Sequence, residues 1–341
     1  MGKVSGHKRR DRDEDEGPPP VPAGKATLGQ LTSHISNKMV RSETYAKLKH
    51  KQKKQKKAER QKRQKEAAKA EQLGLEPPPK KIPKTLENTR EKDETMVAGD
   101  DDEVRADEAE DEFAEHFANM RPPNVLLTTC YKPSGIMYKF LADMLEVFPC
   151  AQYYKRQGFP LKKIVNYATN RGFTDVVVFN EDRKQLNGML VIHLPGGPTA
   201  HFKMSNVVLC KDIKGHGRPT SHKPELILNN FDTRLGHRVG RMFASLFSQD
   251  PAFRGRRAVT FHNQRDFIFF RHHRYIFEEK QKREPGEKEK RAAVIARLQE
   301  LGPRFTLKLL SLQHGTFDTK GGEYEWVHKT TMDTSRRRFF L

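Results

Sequence analysis

The chain has 341 residues and a formal net charge of +20, and 35% of its residues are hydrophobic while 32% are charged. So low an apolar fraction implies that part of the chain stays outside any core, and the positive charge favours a polyanionic partner, nucleic acid first and an anionic membrane second. No stretch approaches the ~20 apolar residues that span a bilayer, and the charged N-terminus lacks the apolar region of a secretory signal, so we expect neither a membrane span nor secretion. The three cysteines, Cys130, Cys150 and Cys210, are too few for a disulfide scaffold or a closed zinc site, which indicates a reducing, nuclear or cytosolic compartment.

Residues 1–85 are predicted to form a basic arm that is disordered or helical. Within it, a proline-rich patch (Pro18 to Pro22) precedes Lys47 to Lys65, a run with eleven basic residues and one acidic one. The run has almost no apolar periodicity, so it predicts a solvated helix or a disordered arm that cannot pack against a core. Such blocks serve as nuclear-import signals or as nucleic-acid arms. Its candidate contacts are Lys53, Lys54, Lys56, Lys57, Arg60, Lys62 and Arg63.

The charge reverses in residues 86–123, which we predict to be an acidic linker. Between Glu91 and Glu112 there are twelve acidic residues and two basic ones. Two interpretations stay open: the segment folds back on the basic block, or it meets a basic partner protein. Phe113 and Phe117, four residues apart, are placed to anchor a short helix onto the globular part of the chain.

Residues 124–315 have the pattern of a globular region with two similar halves, 124–215 and 224–315, followed by a C-terminal extension, 316–341. Each half begins with an apolar strand and continues with an amphipathic helix and further strands. Strands that alternate with helices predict an α/β fold, and the repeated pattern predicts two related halves around a pseudo-twofold centre. A charged insertion, EEKQKREPGEKEKR, interrupts the second half before its last strand.

No specific catalytic constellation is present. The chain lacks a GxxxxGK[ST] loop, a GxGxxG turn after a strand, an HExxH helix and a GxSxG elbow. His272 and His273 are adjacent in a predicted strand, so they would point to opposite faces and cannot both bind one metal. The Gly196-Gly197 pair would let backbone amides approach a phosphate, but a simple β-turn explains the two glycines with fewer assumptions. We therefore expect no enzyme activity, cofactor, metal or small-molecule substrate.

Three clusters are candidates for nucleic-acid contacts. Arg234, Arg238 and Arg241 are spaced to share one helical face, which is either a row for successive phosphates or a solvated face opposite the core. The stretch FHNQRD is predicted to be a polar turn between two strands, with an aromatic platform, amides and an arginine. That composition suits unpaired RNA bases, and equally a self-capped hairpin turn. Its candidate residues are Phe261, His262, Asn263, Gln264 and Arg265, and Lys203 follows the Gly-Gly turn.

The third cluster lies in the last predicted strand, GPRFTLKLLSL. Alternation places Phe305, Leu307 and Leu309 on the core face of this strand. Its opposite face then carries Arg304, Thr306 and Lys308, a basic row that the preceding Gly302-Pro303 turn would position.

Four stretches, in chain order, resemble the Brix-domain family of ribosome-assembly proteins: LPGGPTAHFKM, PELILNNFDTRLGHRVGRMFASLF, RRAVTFHNQRDFIFFRHHRYIF and LGPRFTLKLLSLQHGTF. The resemblance covers about Asn124 to the C-terminus, and the long charged insert between Phe277 and Leu301 is a departure from it. It implies two α/β halves, each similar to the anticodon-binding domain of class II aminoacyl-tRNA synthetases. It also implies ribosomal RNA binding, with an RNA contact at Gly302 to Leu309, a nucleolar location, a protein partner and no enzymatic activity. The arm, the acidic linker and the ending GGEYEWVHKTTMDTSRRRFFL are similar to a subgroup that acts on the large subunit.

The sequence therefore predicts a non-enzymatic assembly factor that binds ribosomal RNA of the large (60S) subunit and helps pre-rRNA folding and processing. The alternative is a protein-interaction scaffold in a pre-ribosomal particle, whose basic arm serves mainly as a nuclear or nucleolar import signal.

Overall fold

A computed structural model describes residues 27–72, 83, 85, 87–91, 94–97, 101–118, 122–282, 291–318, 320–333 and 338–341. The chain divides into two compact units, residues 1–83 and 84–341. The predicted proline-rich patch and the centre of the charged insertion lie outside the described residues. No helix in the described part of the chain is long and apolar enough to cross a membrane.

The first unit contains two helices, α1 (Leu28–Thr32) and α2 (Lys38–Gln72). A capping box starts α1, because the Thr27 hydroxyl accepts from the Gln30 amide and the Gln30 side chain accepts from the Thr27 amide. α2 runs for 35 residues, and the described side chains of the basic run are exposed. Lys, Arg, Gln, Ala and Glu favour a helix, and no apolar stripe gives this helix a face to bury. All the candidate cations of the arm lie on α2.

The second unit is a mixed α/β structure built on a sheet with 11 described strands. Its helices are α3 (Asp102–Glu110), α4 (Ala114–Ala118), α5 (Gly135–Val147), α6 (Leu161–Asn170) and α7 (Arg234–Ser245). Its strands are β1 (Val125–Thr129), β2 (Ala151–Tyr153), β3 (Asp175–Asp182), β4 (Gln185–His193), β5 (Thr199–Val208), β6 (Glu225–Asn229), β7 (Arg257–Gln264), β8 (Phe267–Lys282), β9 (Arg291–Glu300), β10 (Arg304–Gln313) and β11 (Tyr324–Val327).

The order of the strands shows the two halves. It is β2-β1-β3-β4-β5-β10-β8-β7-β6, with β9 paired to β8 and β11 paired to β10. Each half has a parallel pair, β1 with β3 and β6 with β7, from which antiparallel strands lead inward. In the first half β2 adds a further parallel strand at the outer edge. The halves join where β5 pairs with β10 in antiparallel register. The matching order on either side of this pair confirms the predicted two halves around a pseudo-twofold centre.

The main core lies between one face of the sheet and the helices α5 and α7. Apolar residues at spacings of three and four along both helices pack on the inward side chains of the strands. Phe243 of α7 stacks on Phe261 of β7, with 4.2 Å between ring centroids. Phe270 of β8 stacks on Phe305 of β10, at 4.3 Å. The burial of Phe305 and Leu307 confirms the predicted core face of β10.

The other face of the sheet is covered in one half only. There α6 packs against β1, β3 and β4, with Val165 and Ala168 at the contact. The second half has no counterpart of α6 among its described elements. Strands β5, β10, β8, β7 and β6 therefore present the side opposite α7 to solvent, and we call this side the open face.

Two local predictions were wrong about strand length. The stretch FHNQRD was predicted to be a turn, but β7 continues through Gln264 and the turn is only Arg265 and Asp266, both with positive φ. The charged insertion was expected to belong to a loop before the last strand, but β8 and β9 extend into it and pair from His273 with Glu300 to Lys282 with Arg291. Charged residues at successive positions hid the two-residue period of these strands.

Candidate nucleic-acid interface

A row of two ammonium groups and an aromatic ring crosses three strands of the open face. Lys203 of β5, Lys308 of β10 and Phe267 of β8 are neighbours in register, so their side chains lie on the same side of the sheet. The Lys308 ammonium nitrogen lies 5.6 Å from the centroid of the Phe267 ring. Lys203 is exposed, and Phe267 keeps 44% of its surface exposed. A lysine contacts a phosphate and an exposed ring stacks on an unpaired base, so the row combines both kinds of nucleic-acid contact.

A second aromatic-cationic pair lies further along β8. The guanidinium carbon of Arg271 is 5.8 Å from the centroid of the Phe269 ring. Burial lowers the pKa of Arg271, Glu300 raises it and the neighbouring Arg304 lowers it again. Arg304 lies 3.6 Å from the Glu300 carboxylate, which offsets part of its charge. The open face thus carries both arginines beside one carboxylate.

Three further predicted contacts lie on or beside the open face, and a fourth, Thr306, does not reach solvent. His262 and Gln264 of β7 are in register with Phe269 and Phe267, which places them on this face, and Arg265 is exposed in the adjoining turn. Thr306 of β10 is 4% exposed. Its predicted role as an RNA contact is therefore corrected, because neighbouring strands cover its hydroxyl.

Two histidines of the open face have lowered pKa values. Burial lowers the pKa of His201 on β5. Burial also lowers the pKa of His273 on β8, with Glu300 raising it and Arg271 lowering it. The lysines and arginines of this face stay charged across the physiological pH range.

The predicted stacking platform in FHNQRD is wrong. Phe261 is 2% exposed and lies in the core between Phe243 and Phe270. Asn263 is also buried, and its amide nitrogen donates to the backbone oxygens of Asn230 at 2.8 Å and Leu341 at 3.0 Å. Because β7 continues through this stretch, alternate side chains point into the molecule. Phe261 and Asn263 therefore stabilise the fold and do not face RNA.

The sequence analysis missed Phe267, Phe269 and Arg271. In FIFFR four apolar residues follow one another, so the alternation that distinguishes a buried face from an exposed one is absent. Only the lack of an α6 counterpart in the second half shows that one side of this strand is open.

The arginines of α7 share one helical face, as predicted, but carboxylates of the same chain cover it. Arg241 binds Asp111, with Nε 2.6 Å from Oδ2 and Nη2 2.8 Å from Oδ1. Arg234, which is half exposed, contacts Glu103 at the start of α3. A row that is already paired in this way is not presented to successive phosphates.

Arg238 lies at the centre of the same network. It binds Glu325 at 2.7 Å and Glu112 at 3.0 Å. Burial acts to lower the pKa of Arg238, whereas the two carboxylates raise it. His314 completes a group whose ligand atoms with Glu112 and Glu325 lie within 4.8 Å. Since Arg238 already occupies both carboxylates, the group works as an ion-pair network and not as a metal site.

Apolar side chains hold the acidic segment in place. Phe113 is fully buried in the main core, 4.6 Å from the His193 ring, and Val104 of α3 is 5% exposed. The Phe117 ring packs against this core and lies 4.7 Å from the Arg241 guanidinium carbon. The predicted anchoring by Phe113 and Phe117 is confirmed. Within the second unit, the acidic segment folds back on the basic surface of α7.

Comparison with known proteins finds a family model and relatives that match much of this chain. The Brix domain model matches residues 130–311. Ribosome production factor 1 of Mus musculus is 50% identical over 333 residues, which covers 97% of this chain and 91% of that protein. Ribosome production factor 1 of Saccharomyces cerevisiae is 43% identical over 311 residues, 90% of this chain and 98% of that protein.

Among solved structures, one described as a "probable ribosomal biogenesis protein" from Aeropyrum pernix is 15% identical, with a TM-score of 0.39 over 55% of this chain and 96% of that chain. The family match and the two relatives decide the assignment. The chain belongs to the Brix-domain family of ribosome-biogenesis proteins.

Proposed function

We propose that this protein is a non-enzymatic assembly factor of the large ribosomal subunit that binds ribosomal RNA through its open face. It would work in the nucleolus with a protein partner, and help pre-rRNA to fold and be processed. The observation that carries the proposal is the row of Lys203, Lys308 and Phe267 on a rigid sheet, with the Phe269 and Arg271 pair beside it.

The chemistry of this face suits unpaired or junction RNA. Lysines and arginines contact phosphates, and each contact releases counterions, so affinity falls steeply with salt. Exposed phenylalanines stack on bases that are not already stacked in a duplex. The exposed basic helix α2 adds charge that serves as an RNA arm, an import signal or both.

The shared name of the relatives, ribosome production factor 1, supports the ribosomal part of the proposal. The nucleolus and the protein partner rest on the resemblance to the family. The large subunit rests on the similarity of the arm, the acidic linker and the C-terminal extension to one subgroup of it.

The buried polar groups support a role without catalysis. Asp175, His193 and Ser245 lie together, with His193 Nδ1 2.7 Å and Ser245 Oγ 3.2 Å from the same Asp175 oxygen. A nucleophilic serine must bond to its histidine and face a cleft. Here the serine hydroxyl lies 2.8 Å from the Met242 backbone oxygen and 3.2 Å from the aspartate, and all three residues of the cluster are buried. The cluster is arranged to stabilise the core.

The scaffold alternative gains one argument from the structure, since Arg234, Arg238 and Arg241 are paired within the chain and add nothing to an RNA surface. RNA crosslinking in cells separates the two functions. We expect Lys203→Glu with Lys308→Glu to lose crosslinks to pre-rRNA while keeping the proteins that co-purify with the wild type. The matched control is Lys211→Glu with Lys214→Glu, two exposed lysines outside the open face. Unchanged crosslinks in the Lys203 and Lys308 variant would favour the scaffold.

A further inference from the structure

A second cluster of aromatic and basic side chains lies in the first half, beside α6. It lines a groove of about 530 Å³ between α6, the outer face of β1 and the segment that follows β2. Tyr154, Phe159 and Tyr167 contribute rings that are 43%, 44% and 53% exposed. Large apolar rings cost free energy when they stay in water, so three of them around one recess indicate a surface for a flat ligand.

The rings are held at right angles to their neighbours. Phe159 and Tyr167 meet edge to face with 6.2 Å between centroids, and Tyr154 meets Phe173 in the same way at 6.0 Å. A ring that touches its neighbour by an edge keeps its own face available for stacking. The groove therefore offers exposed ring surface on all three side chains, although Arg171 already lies over the Tyr154 ring.

The backbone that carries these rings is fixed. Tyr154 is tied to β1 from both of its backbone groups, because its amide donates to the Leu127 oxygen at 3.0 Å and its oxygen accepts from the Thr128 hydroxyl at 2.9 Å. The guanidinium Nε of Arg156 donates to the Phe159 oxygen at 3.1 Å. The groove is thus formed before a ligand arrives, which lowers the entropic cost of binding.

The rim of the groove is cationic. Lys155, Arg156 and Arg171 are among its lining residues, and no aspartate or glutamate is among those that the structure describes there. The Arg171 guanidinium carbon lies 5.7 Å from the centroid of the Tyr154 ring. A ligand that fits must therefore present a flat, stackable group and carry negative charge beside it.

We propose that this groove binds one unpaired nucleobase of an RNA strand, with the flanking phosphates on Lys155 and Arg171. A nucleotide is a ligand that joins a flat, stackable ring to an anionic group, as the rings and the cationic rim require. Paired bases in an A-form duplex are stacked on both sides and cannot enter a recess of this kind. The choice of RNA as the polymer rests on the proposed function, whereas the groove itself shares no residue with the open face.

The test uses the full chain and a single-stranded RNA of about ten nucleotides, compared with a duplex of the same length by fluorescence anisotropy. We expect Tyr167→Ala to weaken binding of the single strand roughly tenfold and to leave binding of the duplex unchanged. Tyr167→Phe keeps the ring and should restore most of the affinity. Phe253→Ala removes a ring that is 67% exposed elsewhere on the surface, and should change neither.

A second measurement uses only the wild-type chain, so it does not depend on whether a variant folds. Photocrosslinking of the wild-type chain to RNA that contains 4-thiouridine should give crosslinked peptides that include Phe159 or Tyr167. The proposal would be overturned if Tyr167→Ala lowered affinity for single strand and duplex equally, or if it lowered neither. Preferential binding of a proline-rich peptide over RNA at the groove would also overturn it.

The outcome for the groove can be separated from the outcome for the open face. If Phe267→Ala lowers RNA affinity and Tyr167→Ala does not, the proposed function stands and the groove does not bind a base. If only Tyr167→Ala lowers it, the groove binds RNA and the open face is not the RNA surface. A chain that binds no RNA would overturn both.

Discussion

Arg241 of α7 and Asp111 of the acidic segment are joined by two parallel hydrogen bonds, at 2.6 Å and 2.8 Å. The arginine side chain is 18% exposed and the aspartate side chain is 8% exposed. Paired forks of this kind, largely removed from water, are stronger than exposed ion pairs. The pair therefore holds the acidic segment against α7, which makes Arg241 a structural residue.

Replacing either partner should destabilise the second unit. We expect Arg241→Ala to lower the free energy of unfolding by about 2 kcal/mol, because Asp111 is left largely buried without its counter-charge. Urea unfolding of the full chain measures this. Arg234→Ala is the matched control and should change stability by less than about 0.5 kcal/mol, since its pair with Glu103 is exposed.

A double-mutant cycle with Asp111→Ala isolates the pair itself. The loss in the double variant should be smaller than the sum of the two single losses. If Arg241→Ala instead lowered RNA affinity and left stability unchanged, the α7 row would be a phosphate site after all.

Phe261 and Phe267 lie on neighbouring strands and point to opposite sides of the sheet. Phe261→Ala should cost about 3 to 5 kcal/mol of stability, because it opens a cavity beside Phe243 and Phe270. Phe267→Ala removes an exposed ring and should leave the unfolding transition almost unchanged, while lowering affinity for single-stranded RNA roughly tenfold. A large loss of stability in the Phe267 variant would show that this ring is buried in solution.

The architecture followed from the sequence where periodicity was clear. In α5 and α7 the apolar spacing predicted both the helices and their buried faces, and the repeated pattern predicted two halves. The period of two in GPRFTLKLL predicted the burial of Phe305 and Leu307. These features depend on local pattern alone, which is why they could be predicted.

Contacts between distant segments could not be predicted in that way. The pairing of Arg241 with Asp111 joins residues 130 positions apart, and the charge pattern of each segment fits either a fold-back or an external partner. Composition also misplaced Phe261, because a polar stretch that resembles a turn was the end of a strand. The open face is exposed because the second half has no counterpart of α6 among its described elements. The sequence of a single strand does not show whether a helix covers it.

His272 makes stability depend on pH. Burial and nearby Arg257 and His273 lower the pKa of His272 to about 4, and the hydrogen bond with the Gly302 oxygen only partly opposes this. Its Nδ1 lies 2.7 Å from that oxygen, and Nε2 accepts from Arg257 at 3.3 Å, which requires the neutral ring. The unfolded chain binds a proton here below about pH 6.5, so the stabilisation is complete above that pH and is lost as the pH falls toward 4.

We expect His272 alone to remove roughly 3 kcal/mol between pH 7 and pH 4. His272→Gln should be less stable at pH 7 but should show a shallower decline with acid. The difference between the two proteins isolates this histidine from the carboxylates that titrate in the same range. Parallel pH profiles of the free energy of unfolding would contradict the assignment.

The Gly196-Gly197 turn provides a matched pair of glycines. Gly197 has a φ of +98°, and a Cβ there would lie 2.3 Å from the Gly315 backbone, whereas a Cβ on Gly196 would meet nothing within 4 Å. Gly197→Ala should therefore destabilise the junction of β4 and β5 by more than about 1 kcal/mol. Gly196→Ala should be nearly neutral. If both variants were equally stable but bound RNA less well, the turn would be a phosphate loop.

The salt dependence of RNA binding tests the open face one charge at a time. For a single strand the slope of log affinity against log salt changes by about 0.7 for each phosphate contact. Lys203→Ala and Lys308→Ala should each make the slope shallower by about that amount. Arg234→Ala should not, because the α7 row is covered by the acidic segment.

The carboxylate neighbour of Lys308 allows a further test of whether this lysine contacts a phosphate directly. Its ammonium lies 3.7 Å from Asp333, so the wild-type lysine meets a phosphate in competition with this group. Asp333→Asn should therefore raise RNA affinity in the wild-type background and have little effect once Lys308 is replaced by alanine. If Lys308 contacts the phosphate directly, the effect of Asp333→Asn must depend on the presence of Lys308. A general change in net charge would instead raise RNA affinity in both backgrounds.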